Sequence, residues 1–255
     1  MYKLRARERQ TRSRMNEPLV AEHLEWMKQN MNKLTQKDSW DVPLPESIVK
    51  EWNEIINQLP LLRDLKIPRY LHFTESAEAD IILFTDASLI GMGACCYLRV
   101  VTDNEIYVNL LASASKVKPL NASFEHETSE HLIIARLELL SCEIGAKLAM
   151  KMKNELHLEN ARIIAFTDSI VSIYWLTSEE DHSSVFVRTR VRSTREHVES
   201  DNWHHVAGIE NPSDYASRSL LPSQLIESKA LVAWPRLFKR EKFTIRVQAS
   251  TFKEK

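Results

Sequence analysis

The sequence predicts an α/β domain with a mixed five-stranded sheet, three antiparallel strands and then two parallel ones, with helices on both faces and a helical segment before it. Three observations support this fold class. The apolar stretch IILFTDAS at residues 81–88 is echoed by IIAFTDSI at residues 163–170. The first stretch begins three successive strand patterns joined by short connections, and the second lies where helix and strand patterns alternate.

Each element of the domain follows from its local pattern. The strand patterns are IILFTD, MGACCYLRV after Gly91, EIYVNLLASAS, ARIIAFTD and NWHHVAG. The helix patterns are ARLELLSCEIGAKLAMKMKNEL, SIVSIYWLTS, the basic SVFVRTRVRSTREHV, and a last helix entered at NPSDYASR. The first strand has neither a helical period nor polar alternation in its apolar part, which is typical of a central strand buried on both faces.

The chain divides into three zones. Residues 1–78 are expected to be helical, since PESIVKEWNEIINQL carries apolar side chains at helical spacing. That apolar face comprises Ile48, Trp52, Ile55, Ile56 and Leu59. Residues 79–219 form the predicted α/β domain, and residues 220–255 form a C-terminal tail without a pattern that fixes its structure.

Composition narrows the class of protein. The 255 residues are 44% hydrophobic and 27% charged, an ordinary composition for a chain that buries a core. The sequence contains no apolar stretch of the roughly 18 to 20 residues that a membrane span needs. Its start, MYKLRARERQTRSR, lacks the apolar segment of a signal peptide. We therefore expect an intracellular protein, cytoplasmic or nuclear and not secreted.

Two further sequence features have ordinary interpretations. The basic start is expected to be a solvated arm, with nucleic-acid contact as the alternative. Cys95 and Cys96 are adjacent and Cys142 is distant in sequence, so their spacing indicates neither a metal site nor a disulfide framework. The cysteines are expected to be small core residues.

Asp86 and Asp168 each follow an apolar strand and a threonine. Where such strands lie side by side, the two carboxylates are partly desolvated and repel each other, and a cation between them would relieve both effects. Either aspartate alone could simply open a turn or cap a helix. The matching context of the pair favours a shared metal site.

Glu138 and Asp214 are the other candidate carboxylates. Glu138 is expected in the first turn of the long helix, above a stripe of small and apolar residues that would lie against the sheet. A helix N-terminus stabilises a negative charge by at most about 1 kcal/mol, which does not offset the desolvation of a carboxylate. Asp214 follows Asn211 and Pro212, which are expected to be the N-cap and first residue of the last helix, so a helix-dipole role is its alternative.

The ordered set Asp86, Glu138, Asp168 and Asp214 resembles the D-E-D-D carboxylates of the ribonuclease H family. The phrases FTDAS, RLELL, FTDS, WHHV and NPSDYASR are closer still to the ribonuclease H region of BEL/Pao-type retrotransposon polyproteins. Residues 40–69 resemble the connection segment that precedes that region, and SQLIESKALVAWP resembles the stretch leading toward the integrase. The resemblance covers about residues 40 to 235.

This resemblance implies an activity and a cofactor. Members of the family hydrolyse the RNA strand of RNA–DNA hybrids with two Mg²⁺ ions, for which Mn²⁺ can substitute. Carried over by position, Asp86 would bridge both ions, Asp214 would help to hold the ion that activates water, and Glu138 with Asp168 would hold the other. The implied partners are the hybrid and a reverse transcriptase polymerase domain of the same element.

Candidate nucleic-acid contacts lie in two places. Ser88, Gly91 and Gly93 follow the first strand, and the absent side chains of the glycines could admit a nucleic-acid backbone. The alternative for the glycines is a turn and a strand start. Positive side chains also fall on one face of the basic helix, where the alternative is a solvated surface; they are Arg188, Arg192 and Arg195.

Several departures and rival functions stay open. Cellular members commonly carry a histidine just before the last carboxylate, but here that loop reads Ile209-Glu210-Asn211-Pro212, and His204 and His205 lie upstream in the last strand. One rival is a catalytically inactive relic that binds nucleic acid or a partner. A second is a retrotransposon aspartic peptidase, although neither strand end has the D-[ST]-G form that this chemistry uses. An integrase-type nuclease would share the fold but would lack a carboxylate on the first helix.

Overall fold

The structure, a computed structural model, describes residues 45–228 apart from residues 69, 75–76, 104, 119–129, 180–181, 183 and 219. The basic start of the chain and most of the predicted tail lie outside the described residues. The predicted boundaries of the α/β domain, after residue 78 and after residue 219, stay a prediction.

The core of the molecule is a five-stranded mixed sheet with the order β3-β2-β1-β4-β5. Strands β1, β2 and β3 are antiparallel neighbours, and β4 and β5 continue the sheet in parallel from β1. The predicted fold class is thereby confirmed. The strands are β1 Glu78–Ala87, β2 Gly91–Val101, β3 Ile106–Val117, β4 Arg162–Thr167 and β5 Trp203–His205.

Helices lie on both faces of this sheet. The long helix α2 packs on β1 and β2, and α3 and α4 pack against α2 on the same face of the sheet. The short helix α5 contacts β1, β2 and β3 from the other side. The helices are α1 Glu46–Gln58, α2 Glu130–Glu155, α3 Ile170–Thr177, α4 Val185–Arg195, α5 Asp214–Ser217 and α6 Pro222–Ser228. Short 3-10 turns occupy Leu59–Asp64, Ser200–Asn202 and Gly208–Glu210. No helix in the described part of the chain is both long and apolar enough to span a membrane.

Strand β1 is central because its side chains are apolar on both faces. Ile81 and Leu83 pack toward α2, and Ile82 and Phe84 pack into the cluster on the opposite face. All four are at most 2% exposed. The buried strand therefore holds Asp86 at a fixed position near its C-terminal end.

Helix α2 approaches β1 closely at Gly145. A Cβ atom there would lie 2.5 Å from Thr85 Cγ2 and 3.1 Å from Leu83 Cδ1, closer than packed atoms tolerate. The absence of a side chain at this one position therefore sets the distance between α2 and the strand that ends at Asp86.

The predicted position of Glu138 within its helix is wrong. Glu138 is not in the first turn of α2, because the helix already includes Glu130; the residues between have no proline or glycine to stop it. Two residues of the predicted apolar face, Ile56 in α1 and Leu59 directly after it, are 40% and 36% exposed, whereas Ile55 is buried. Within the described chain, α6 and the 3-10 turn at Leu59–Asp64 pack against α1. The shared face of the five apolar residues stays a prediction.

A charged cluster fixes the register at the other end of β1. Asp80 is the register partner of Arg99 on β2 and of Arg162 on β4. Its carboxylate accepts hydrogen bonds from Arg99 at 3.3 Å and from Arg162 at 3.0 and 3.3 Å. Asp80 and Arg99 are 3% and 7% exposed, so this pairing joins two buried charges.

We expect Asp80→Asn to lower the free energy of unfolding by about 3–5 kcal/mol, because it removes the buried negative charge that accepts hydrogen bonds from both Arg99 and Arg162. Urea denaturation measures this. Arg162→Gln is the matched control: its side chain is 66% exposed, so the loss should be at most about 1 kcal/mol. Equal losses in the two variants would contradict a buried pairing at Asp80.

Candidate metal centre at the ends of the central strands

The two echoed strand ends lie side by side. Strands β1 and β4 are parallel neighbours, with Phe84 opposite Phe166 and Thr85 opposite Thr167. Asp86 and Asp168 are the next residues along the two strands. Parallel pairing in this register therefore brings the two carboxylates together at the C-terminal ends of β1 and β4.

Helix α2 adds a third carboxylate to this pair. Asp86, Glu138 and Asp168 each offer a carboxylate oxygen, and these oxygens all lie within 4.8 Å of one another. Asp86 is 4% exposed and Glu138 is 7% exposed, while Asp168 is partly buried. We name these three residues the carboxylate cluster.

The electrostatics of the cluster reflect burial and mutual repulsion. Burial is the main cause that raises the pKa of Asp86 to about 7; the Ser217 hydroxyl opposes this, and the charges of Asp168 and Asp214 add to it. Burial also raises the pKa of Glu138 to about 9, reinforced by the charges of Asp86 and Asp168. The pKa of Asp168 is raised as well, again first by burial. Without a cation, the cluster therefore holds protons near neutral pH.

The donor set fits a hard divalent cation. Glu138 Oε2 and Asp168 Oδ1 are buried and have no hydrogen-bond partner among the described residues. Buried oxygens of this kind are normally satisfied, and an unsatisfied one carries a desolvation cost of about 1–3 kcal/mol or more. Carboxylate oxygens are the ligands that Mg²⁺ and Mn²⁺ prefer, so a bound ion of this class would satisfy both atoms.

Asp214 lies beside the carboxylate cluster but is not one of its three members. Its charge raises the pKa of both Asp86 and Asp168. Its carboxylate accepts from Arg218 Nε at 2.6 Å, and its side chain is 31% exposed. Asp214 is thus within electrostatic reach of the cluster while it is paired with an arginine one helical turn away.

The segment that carries Asp214 is tied to β1 by a buried asparagine. Asn211 is 1% exposed and its Nδ2 donates to Thr85 O at 2.9 Å. Its Oδ1 accepts from Ser213 N at 3.1 Å. The last helix was predicted to begin with Asn211 as N-cap, and this is wrong by two residues: α5 begins at Asp214 after Ser213, because Asn211 closes a turn that joins the segment to the strand.

The candidate nucleic-acid contacts after β1 have packing roles. Ser88 Oγ accepts from Gly91 N at 3.2 Å and donates to Ser217 O at 2.7 Å, so it closes the turn and holds α5. A Cβ on Gly93 would lie 2.6 Å from the backbone carbon of Ala216, and one on Gly91 would lie 2.9 Å from the carbonyl oxygen of Lys116. The space beside both glycines is therefore filled by the protein's own backbone, and their contact with nucleic acid stays a prediction.

The predicted basic face of α4 is divided between two roles. Arg195 donates to the carbonyls of Leu176 at 3.0 Å and Ser178 at 2.5 Å, so its charge stabilises the C-terminal end of α3. Contact of Arg195 with phosphate stays a prediction. Arg188 and Arg192 are exposed, and their contact with phosphate stays a prediction.

Sequence reasoning missed several residues around the carboxylate cluster. Ser217 Oγ donates to Asp86 Oδ2, and the two residues are 131 positions apart. Gly208 lies against Asp168, since a Cβ there would be 2.9 Å from Oδ2. The signal available was the phrase that resembled the family, NPSDYASR, which includes Ser217 and Arg218 as well as Asp214.

The cysteines and histidines have the positions expected of them. Cys95, Cys96 and Cys142 are buried core residues that form no disulfide bond with one another. His204 and His205 lie in β5, where burial lowers the pKa of His204.

The fold and the carboxylate cluster together define a class of protein. A mixed sheet in the order β3-β2-β1-β4-β5, with carboxylates at the ends of β1 and β4 and on the first helix after the hairpins, is the ribonuclease H-like arrangement. The family model described as the Pao retrotransposon-like RNaseH-like domain matches residues 18–169, more than half of the chain. The chain therefore belongs to this family. The matched region contains Asp86, Glu138 and Asp168, and Asp214 lies beyond it.

Similar solved structures include two ribonucleases H and one viral polymerase. RNase H1 from Halobacterium salinarum NRC-1 is 14% identical, with 55% of this chain and 93% of that chain covered and a TM-score of 0.34. LC11-RNase H1 in complex with RNA/DNA hybrid is 11% identical, with coverages of 58% and 99% and a TM-score of 0.32. The foamy viral protease-reverse transcriptase in complex with dsDNA is 12% identical, with coverages of 68% and 32% and a TM-score of 0.27.

At these TM-scores, none of the three similarities bears on the fold or function of this chain. None of the curated proteins compared with the chain matches it.

Proposed function

We propose that this chain is a retroelement-derived ribonuclease H that hydrolyses the RNA strand of RNA–DNA hybrids with two divalent cations. The observation that carries the proposal is the carboxylate cluster, in which oxygens from β1, α2 and the end of β4 lie within 4.8 Å of one another. Membership of the Pao retrotransposon-like RNaseH-like domain family supports a nuclease rather than an unrelated metal protein.

Four side chains would hold the cations, which are Mg²⁺ in this proposal, with Mn²⁺ as a substitute. Asp86 would be shared between the two ions, with Glu138 and Asp168 on one and Asp214 on the other. When bound, such ions activate water and stabilise the leaving oxygen in phosphodiester hydrolysis. The protein's own contribution would be to hold the four carboxylates in place and to keep those of Asp86 and Glu138 largely out of water.

Substrate recognition is proposed to depend on backbone shape and 2′-hydroxyl groups rather than on base edges. Arg188 and Arg192 are exposed on α4 and are proposed to contact phosphate. A reverse transcriptase polymerase domain of the same element is the proposed protein partner. The cytoplasm or nucleus is the proposed compartment.

One observation gives the peptidase alternative a physical basis. Asp86 and Asp168 follow residues that pair directly across two parallel strands. Burial raises the pKa of Asp168, and a hydrogen bond with Asp86 opposes this increase. Two aspartates that share a proton are also the machinery of aspartic peptidases. The buried third carboxylate of Glu138 has no role in that chemistry, which favours the nuclease.

A chelator separates the two functions. We expect the purified chain to cleave RNA–DNA hybrid with Mg²⁺ or Mn²⁺, to lose at least about a hundredfold in rate in excess chelator, and to recover when the metal is restored. Single-stranded RNA and duplex DNA are the control substrates and should stay intact. Chelator-resistant cleavage of a peptide at acid pH, with the hybrid uncut, would favour the peptidase instead. Binding of hybrid without cleavage under any metal condition would favour the inactive relic.

A further inference from the structure

We propose that Ser217 is a positioning residue that orients the Asp86 carboxylate for cation binding, an inference that rests on the proposed function. The Ser217 hydroxyl donates to Asp86 Oδ2, and the two residues are 3% and 4% exposed. A donor that holds one oxygen of a ligand carboxylate leaves the other oxygen to face the ion. Outer contacts of this type commonly set the geometry and affinity of metal ligands.

The hydroxyl can act this way because its own backbone is fixed on several sides. Helix α5 has only four residues, so its internal hydrogen bonds cannot hold it in place. Ser115 Oγ donates to Ala216 O at 2.8 Å, and Ser88 Oγ donates to Ser217 O at 2.7 Å. Gly93 lets this backbone lie directly against β2. The position of Ser217 is therefore set by β1, β2 and β3 together.

The charges around Asp86 explain why an orienting donor is needed. Its carboxylate is close to those of Glu138 and Asp168 and within electrostatic reach of Asp214. When these carboxylates are ionised and no cation is bound, repulsion would turn the Asp86 side chain away from the cluster. The Ser217 hydroxyl opposes this rotation. It also links Asp86 to Asp214, because Ser217 and Asp214 lie in the same short helix.

A local role is the alternative for the same hydroxyl. Ser217 Oγ also lies 3.1 Å from Asp214 O, a contact that serine side chains often make with a carbonyl of the preceding helical turn. In that role the residue would stabilise α5 and would have no specific effect on metal affinity. A measurement of metal affinity separates the two roles.

Ser213 provides a matched control. It lies at the start of the same helix and is fully buried, but its hydroxyl has no hydrogen-bond partner among the described residues. Calorimetric titration of the full chain with Mg²⁺ should give an affinity about ten- to a hundredfold weaker for Ser217→Ala than for the parent. Ser213→Ala should bind Mg²⁺ like the parent. Ser217→Cys keeps a weak donor and should give an intermediate affinity.

The possible outcomes are distinct. Parental Mg²⁺ affinity in Ser217→Ala would overturn the positioning role while the proposed function stands. Absence of Mg²⁺ binding in the parent, with or without hybrid, would overturn the proposed function and this role with it. If Ser217→Ala does not fold, Ser217→Cys decides: an affinity equal to that of the parent overturns the role, and a reduced one supports it.

Discussion

Replacing Glu138 with glutamine is expected to lower hybrid cleavage by roughly a hundredfold or more, while hybrid affinity changes little. The substitution keeps the shape of the side chain and removes the charge that a cation would need. Since Glu138 is buried beside Asp86 and Asp168, the loss of its charge should leave the metal-free protein as stable as the parent or more stable. Single-turnover cleavage and thermal unfolding in a chelator measure the two effects.

Glu143→Gln is the matched control on the same helix. The Glu143 carboxylate accepts from Lys147 at 2.5 Å and from Ser193 at 2.9 Å, and it lies 3.9 Å from Arg190. These cationic and hydroxyl partners lower its pKa although burial opposes them, so its charge is stabilised where that of Glu138 is not. We expect a modest loss of stability and parental cleavage. Parental cleavage in Glu138→Gln under the same Mg²⁺ and salt would remove Glu138 from the site.

The second large effect is the coupling of stability to pH and Mg²⁺. The ordinary pKa values of Asp86 and Glu138 are 3.8 and 4.5, and the folded protein raises them to about 7 and about 9. At pH values between the ordinary and the raised pKa of each group, the folded state holds a proton that the unfolded chain has released. The stabilisation is complete below about pH 4 and is lost as the pH rises through 7 and 9.

The free energy of unfolding of the metal-free protein should therefore fall by on the order of several kcal/mol across this range. Mg²⁺ binds the ionised carboxylates, so the stabilisation that it adds should grow with pH. Denaturant unfolding at a series of pH values, with Mg²⁺ or with chelator, measures both trends. Glu138→Gln should flatten the metal-free pH dependence relative to the parent. The same Mg²⁺ stabilisation at pH 5 and pH 9 would contradict the coupling.

The main features of the fold and cluster were predictable because they depend on local patterns. Asp86 and Asp168 each follow an apolar run that is typical of a buried strand, and parallel pairing of two such runs places their ends together. The start of α2 was not predictable from the pattern around Glu138, since no residue just before it stops a helix. An error of this kind leaves the face of the helix unchanged, so Glu138 still points to the sheet.

Contacts between distant parts of the chain explain what sequence reasoning missed. The phrase NPSDYASR marks the segment that contains Ser217, but it does not indicate that the Ser217 hydroxyl reaches Asp86. The role of Gly93 depends on the backbone of Ala216, which only the folded chain brings against β2. Arg195 has the spacing of a surface cation, but carbonyls at the end of α3 bind its guanidinium. In each case the partner is set by tertiary packing rather than by a local period.

The position of bound metal tests the central proposal most directly. Crystals of the chain soaked in Mn²⁺ would locate the ion by its anomalous scattering. We predict anomalous density between the carboxylates of Asp86, Glu138 and Asp168, and its loss in Glu138→Gln. Well-ordered crystals at saturating Mn²⁺ that show no density at this cluster, with the three carboxyl groups bonded only to one another and to water, would contradict the metal site and the nuclease that depends on it.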